Sequence, residues 1–190
     1  MVTDDRNINF RPFYYSEIHV DPSNPEVVWS LSGGLYKSTD GGETWNKVLY
    51  KNEGTGAIDL VMSPEDPDIL FAALWEFERK AWGAKTGGPD SGIWKSTDGG
   101  ESWQEISRNE GLPAGAMGRI GLTMSADDPD RVYALVDSET QQGLYRSDDL
   151  VWIDMAEYTQ SLAEYLQQAS GAYHILLKVD ITDVSLDIDR

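Results

Sequence analysis

The chain has 190 residues, and 15 Lys and Arg against 33 Asp and Glu give a formal charge of −18. Such a surface lacks the basic face that nucleic-acid phosphates or an anionic membrane require, and the longest apolar run, Ile69 to Trp75, is far short of the ~20 residues of a membrane span. No cysteine is present, which excludes disulfides, thiolate catalysis and cysteine-ligated metals, while 40% hydrophobic residues can build one core with a small appendage.

The start, Met1 to Arg6, has neither the basic stretch nor the apolar run of a signal peptide. The elements that follow come in threes. In the first unit Ile18-His19-Val20 predicts a strand ending in an Asp21-Pro22 turn, where proline fixes φ and Asp bonds the backbone locally. Val27 to Leu31 predicts a second strand, Gly34 to Ser38 a third, and Trp45 to Leu49 a fourth. In the second unit Ile58, Leu60 and Met62 alternate at period two. After the Asp66-Pro67 turn comes the run Ile69 to Trp75, apolar throughout, as a strand buried on both faces is. Gly92 to Ser96 and Trp103 to Ile106 complete that unit. The third unit runs from Ile120 through Asp128-Pro129, Val132 to Val136 and Gly143 to Ser147. There Leu150 and Val151 replace glycines and Trp152 arrives two positions early, so this unit is expected to be cut short at Trp152. Beyond it, Leu162, Leu166 and Ala169 follow helical spacing, Gly171 suits a helix stop, and Tyr173 to Ile181 and Val184 to Ile188 read as two strands. This tail is expected to cap the third unit.

The most specific signal is the repeated turn. Ser38-Thr39-Asp40-Gly41-Gly42-Glu43-Thr44-Trp45 recurs as Ser96-Thr97-Asp98-Gly99-Gly100-Glu101-Ser102-Trp103. Ser and Asp side chains accept backbone N–H groups, paired glycines permit positive φ, and the Trp can pack over the hairpin. The pattern Ser-x-Asp-x-Gly-x-Thr/Ser-Trp resembles the Asp-box, or BNR repeat, of the β-propellers of sialidases, xyloglucanases and the sortilin N-terminal domain. That resemblance implies an all-β fold. Residues 1–155 would hold about three four-stranded blades (10–50, 57–107 and 118–155) of an incomplete propeller, and 156–190 a small α+β extension. It also implies that Ser38, Asp40, Gly42, Trp45, Ser96, Asp98, Gly100 and Trp103 are structural, on the outer rim, and that the protein works outside the cell or in the periplasm. Propellers usually close with about four to eight blades, so three leave two apolar faces open. Either the blades belong to a larger ring, or they self-associate through the open faces, or the last 35 residues cover one face.

By the same resemblance ligands meet the end where loops enter first strands and join second to third strands. Three segments map there: Arg11 to Glu17, the insertion Glu76 to Pro89, and Gly111 to Arg119. They supply Arg11, Tyr14, Arg79, Trp82 and Arg119 as ligand-binding candidates, because aromatic faces with a few hydrogen-bonding groups suit a glycan or an extended peptide. The blander alternative has Trp82 folding back onto its loop and the arginines in surface ion pairs. Glycoside hydrolysis requires two carboxylates, or a Tyr nucleophile with a partner acid. Glu17, Asp59, Glu76 and Asp90 with Tyr14 or Tyr15 are available, and Glu17, Glu76 and Tyr15 are the catalytic candidates. Arg119-Ile120-Gly121 lacks the proline of the sialidase Arg-Ile-Pro segment. His19 and His174 have no second histidine at ligand spacing, and Asp180, Asp183, Asp187 and Asp189 do not follow an EF-hand pattern, so neither metal nor cofactor is expected. The reading is a non-catalytic binding or scaffold segment for a glycan or protein, with a glycoside-hydrolase-type propeller of incomplete catalytic set as its alternative.

Overall fold

The computed structural model describes residues 2–128, 130–148, 151–156, 160, 176–180 and 183–187. Three four-stranded antiparallel sheets follow one another along the chain. Blade one is β1 (Glu17–Asp21), β2 (Asn24–Ser32), β3 (Gly34–Ser38) and β4 (Asn46–Leu49). Blade two is β5 (Thr55–Met62), β6 (Leu70–Glu76), β9 (Gly92–Ser96) and β10 (Gln104–Glu105). Between β6 and β9 a separate hairpin stands out, formed by β7 (Glu78–Lys80) and β8 (Gly83–Lys85). Blade three is β11 (Met117–Met124), β12 (Val132–Ser138), β13 (Gly143–Ser147) and β14 (Trp152–Asp154). The third unit is therefore not cut short: despite the degraded turn, β14 pairs with β13 through Tyr145, Arg146 and Ser147. In the tail β15 (Leu176–Asp180) and β16 (Asp183–Asp187) form an antiparallel pair, whereas the expected helix around Leu162 and Leu166 lies outside the described residues.

Strand pairing puts the three units in one register. Val28, Leu70 and Val132 each face the Ser that opens the turn after the third strand, namely Ser38, Ser96 and Ser147. From that anchor Trp29, Phe71 and Tyr133 are equivalent, as are Leu31, Ala73 and Leu135. The continuous apolar run of β6 follows from its position between two blades. Leu70, Ala72 and Leu74 join Trp29, Leu31 and Leu35 in the seam with blade one. Phe71, Ala73 and Trp75 join Ile120, Leu122, Val132 and Ala134 in the seam with blade three. A strand with period-two geometry and a buried neighbour on each side needs apolar residues at every position.

The repeated turns are built alike. Ser38 Oγ accepts from the Gly42 amide at 2.8 Å, and Asp40 accepts from the Thr44 amide at 2.9 Å and the Thr44 hydroxyl at 2.6 Å. Trp45 Nε1 donates to the Gly42 carbonyl at 2.9 Å. Ser96, Asp98, Ser102 and Trp103 repeat this set around Gly100. Both glycine pairs have positive φ, 68° and 93° at Gly41 and Gly42, and 67° and 82° at Gly99 and Gly100, where a side chain costs about 1–2 kcal/mol. Each turn is tied back to its own blade, through Gly41 N to Glu26 O and Gly99 N to Asp68 O. The second turn also locks onto blade one, because Lys37 Nζ donates to the Gly99 carbonyl and to Glu101, both at 2.8 Å.

Before β1, a 3-10 turn over Arg6–Asn9 straps the outer side of blade one. Ser30 Oγ donates to Ile8 O at 2.6 Å and Ser32 Oγ to Asn7 O at 2.8 Å, while the Phe10 amide donates to Ser32 Oγ. The equivalents of these two serines are Ala72 and Leu74 in blade two and Ala134 and Val136 in blade three. Blade one thus carries hydroxyls where it meets backbone instead of another sheet.

Candidate functional site

The loops entering β1, β5 and β11 and those joining second to third strands gather at one end. Direct bonds connect them. Arg11 Nη2 donates to Phe77 O at 3.0 Å, Tyr15 Oη to Trp75 O at 2.9 Å, and the Phe77 amide to Gly54 O. Asn52 Nδ2 donates to Asp90 at 2.7 Å, and Gly88 forms a bridge with Met117 at the edge of blade three.

Arg11 holds the entry to β1. It has φ 57°, unusual for a side chain larger than glycine, and its carbonyl accepts from the amides of Tyr14 and Tyr15. That tight turn brings its guanidinium over the rings of Tyr14 and Tyr15, at 5.4 and 5.8 Å. The rings continue inward, Tyr14 to Phe77 at 4.3 Å and Phe77 to Trp75 at 4.6 Å, and the Arg119 guanidinium lies over Trp75 at 5.8 Å. Arg11, Tyr14 and Arg119 are thereby brought into one aromatic and cationic cluster. Such contacts contribute about 0.5–1 kcal/mol each where water reaches them, which rigidifies the loops.

Trp82 and Arg79 sit apart from that cluster, on the β7–β8 hairpin. Every residue of the two strands is exposed, and Trp82, in the turn between them, is 86% exposed. The blander alternative for Trp82 is corrected: its ring stands in solvent instead of folding back, because a two-residue turn between exposed strands offers no apolar surface to cover it.

The base of this hairpin walls a cleft of about 660 Å³ between blades two and three. Lys85 and Thr86 line one side, and Asp137, Ser138, Thr140 and Gln142 the other. Its lining is mostly polar, and it includes a wall that sequence reasoning missed. The β12–β13 connector supplies that wall from Ser138 to Gln142. Its signal was present, since it occupies the same place between second and third strands as the insertion does in blade two.

The carboxylate and phenol candidates are held in structural bonds. Glu76 pairs with Lys85, and hydrogen bonding to Glu76 pushes the Lys85 ammonium above its ordinary value. Tyr15 is buried, and burial pushes its phenol up despite the nearby Arg11. Glu17 lies 3.7 Å from His19 on the inner strand of blade one. Asp59 spans a seam, with Oδ2 accepting from the Leu122 amide at 2.7 Å. Among the described residues no three His, Asp or Glu side chains form a cation cage, and no helix is long and apolar enough to cross a membrane.

No protein-family model matches the chain. Among solved structures, an ancestral GH74 enzyme superposes with a TM-score of 0.58 at 20% identity, over 74% of this chain and 18% of that one. The GH74 enzyme of Niastella koreensis gives 0.51 at 20% identity, over 72% and 20% of the two chains. The GH74 xyloglucanase of Xanthomonas campestris gives 0.51 at 21%, over 80% and 24%. The chain thus spans about a fifth to a quarter of the length of these neighbours, and at such identity the likeness is one of fold. With three consecutive four-stranded sheets sharing two apolar seams, the chain has the architecture of a β-propeller segment.

Proposed function

We propose that the loop end of these blades is a carbohydrate-binding surface without a catalytic set of its own. The observation that supports this most directly is the pairing of a solvent-facing indole, Trp82, with the polar cleft at the base of the same hairpin. An exposed indole costs apolar hydration and gains it back by stacking on a sugar face, while carboxylate, amide and hydroxyl groups of the cleft meet the sugar hydroxyls. The bonds made by Glu76 and Tyr15 favour binding over hydrolysis. The Glu76 carboxylate is engaged by the Lys85 ammonium, and a phenol raised by burial is a poor nucleophile. One neighbour is named a xyloglucanase, so a xyloglucan oligosaccharide is the first ligand to try. On this reading the protein acts where polysaccharide is met, outside the cell or in the periplasm.

The test is a titration of xyloglucan and cellulose oligosaccharides into the chain, followed by tryptophan fluorescence and calorimetry. Saturable binding that Trp82→Ala reduces at least tenfold is expected, with chromogenic glycosides left uncleaved by the wild type. Binding indifferent to Trp82→Ala sinks the glycan reading. Turnover that disappears in Glu76→Gln restores the hydrolase.

A further inference from the structure

The sequence holds two Asp-Gly bonds, Asp40-Gly41 and Asp98-Gly99, and no Asn-Gly bond. Both lie in the repeated turns, and the fold requires them there. Gly41 and Gly99 have φ of 68° and 67°, where glycine alone sits without strain. Asp-Gly is also the pair whose backbone rearranges most readily, because glycine leaves its amide nitrogen open to the neighbouring carboxyl carbon. The nitrogen bonds to Cγ of the Asp, and the amide proton leaves with the carboxyl OH as water. A second water then opens the five-membered imide. When the bond to the original α-carbonyl breaks, the chain runs on through Cγ as isoaspartate, with a free α-carboxylate. One water is lost and one regained, and no oxidant or cofactor takes part.

The folded turn restrains both reacting groups. The Gly41 amide donates to Glu26 O at 2.9 Å and the Gly99 amide to Asp68 O at 3.0 Å, so each nitrogen is committed to another segment of its own blade. Asp40 Oδ1 accepts from the Thr44 amide at 2.9 Å and the Ser38 hydroxyl at 2.8 Å, and Oδ2 from the Thr44 hydroxyl at 2.6 Å. Ser102 and Ser96 hold Asp98 in the same way. While these bonds stand, Cγ cannot swing onto the amide nitrogen. The same donors hold both carboxyls at about 2, so the protonated form that releases water is scarce near neutrality.

We propose that Asp40 and Asp98 are the sites at which this chain is modified to isoaspartate, and that each turn keeps its own site shut until that turn opens. The product cannot return to the native turn. An extra backbone carbon after position 40 or 98 spoils the spacing by which Ser38 reaches the Gly42 amide, or Ser96 that of Gly100. At the second turn it also displaces Gly99 O from Lys37. Isoaspartate is therefore a one-way mark on chains whose turn has opened.

The experiment incubates the full chain at mildly acidic pH, folded in buffer and unfolded in guanidinium chloride. Isoaspartate is read peptide by peptide, by electron-transfer mass spectrometry and by methyl transfer from an isoaspartyl methyltransferase. In the unfolded chain both Asp-Gly peptides convert faster than those of Asp90-Ser91 and Asp137-Ser138. In the folded chain both slow by about tenfold or more, as for a segment that must first open. Thr44→Val takes a hydroxyl donor from Asp40 and raises conversion several-fold at Asp40 alone. Ser102→Ala does the same at Asp98 alone, and in each variant the untouched turn is the reference within the same molecule. Equal rates in the folded and unfolded chain overturn the proposal. So does faster conversion at an Asp-Ser bond, or a pair of variants that leave both rates unchanged. So does a variant in which both turns accelerate together, since unfolding of the whole chain is then the gate.

Discussion

Gly100 is where a turn, a seam and a buried indole meet, and replacing it by Ala separates their contributions. A β-carbon there would lie 2.3 Å from Cη2 of Trp29, whose ring is buried in the seam between blades one and two. The backbone φ of 82° adds strain of about 1–2 kcal/mol for a residue with a side chain. Overpacking against a buried ring adds roughly 1–3 kcal/mol. Gly42 is the internal control. Its φ is 93°, but its β-carbon would meet only Trp45 at 3.4 Å and Val2 at 3.7 Å, which are ordinary contacts. Gly42→Ala should therefore cost the backbone term alone, and Gly100→Ala about 1–3 kcal/mol more. Urea unfolding followed by tryptophan fluorescence reads the difference as a shift in midpoint at equal slope. Equal midpoints for the two variants would mean that the second turn does not press on blade one, and the account of the seam would fail.

The carboxyls of Asp40 and Asp98 are both held down at about 2 by the hydroxyl and amide of Thr44 or Ser102, with Ser38 or Ser96 adding a third donor. Because the folded value is depressed, the stabilisation is complete above the ordinary carboxyl value near 4 and is lost as pH falls toward 2. Acid unfolding should fall in that window, and Asp98→Asn should flatten the dependence there. Asp59→Ala removes the acceptor of the Leu122 amide and should cost about 1–3 kcal/mol in urea unfolding, with Asp59→Asn recovering most of it. Trp82→Ala should leave thermal stability within about 0.5 kcal/mol of wild type, since an exposed side chain contributes little to folding.

Period-two alternation and the doubled Ser-Thr-Asp-Gly-Gly turn carry most of the architecture in plain residues. Strand two of blade two announces its double burial by having no polar position from Ile69 to Trp75. The hairpin within the insertion was legible as an insertion, but the posture of Trp82 was not, because an aromatic residue in a loop reads the same whether covered or bare. The third unit misled for a physical reason. Its turn chemistry had decayed, yet the pairing of β14 depends on backbone groups of Tyr145 to Ser147 that no side-chain pattern reports. Contacts between units were hidden too. Nothing local says that Asp59 accepts from Leu122 or that Arg11 donates to Phe77 O, since both depend on how one sheet is rotated against the next. The hydroxyls of Ser30 and Ser32 were visible at apolar positions, and their meaning emerged only with the strap laid over them.

The small projection carrying Trp82 runs from Glu78 to Lys85, and its two strands contribute nothing to either seam. Selection can therefore lengthen it, shorten it or repaint its tip while the scaffold's melting point stays put. The tip of this hairpin is decoupled from foldedness, and a foreign peptide spliced between Ala81 and Trp82 should be displayed by an undisturbed scaffold.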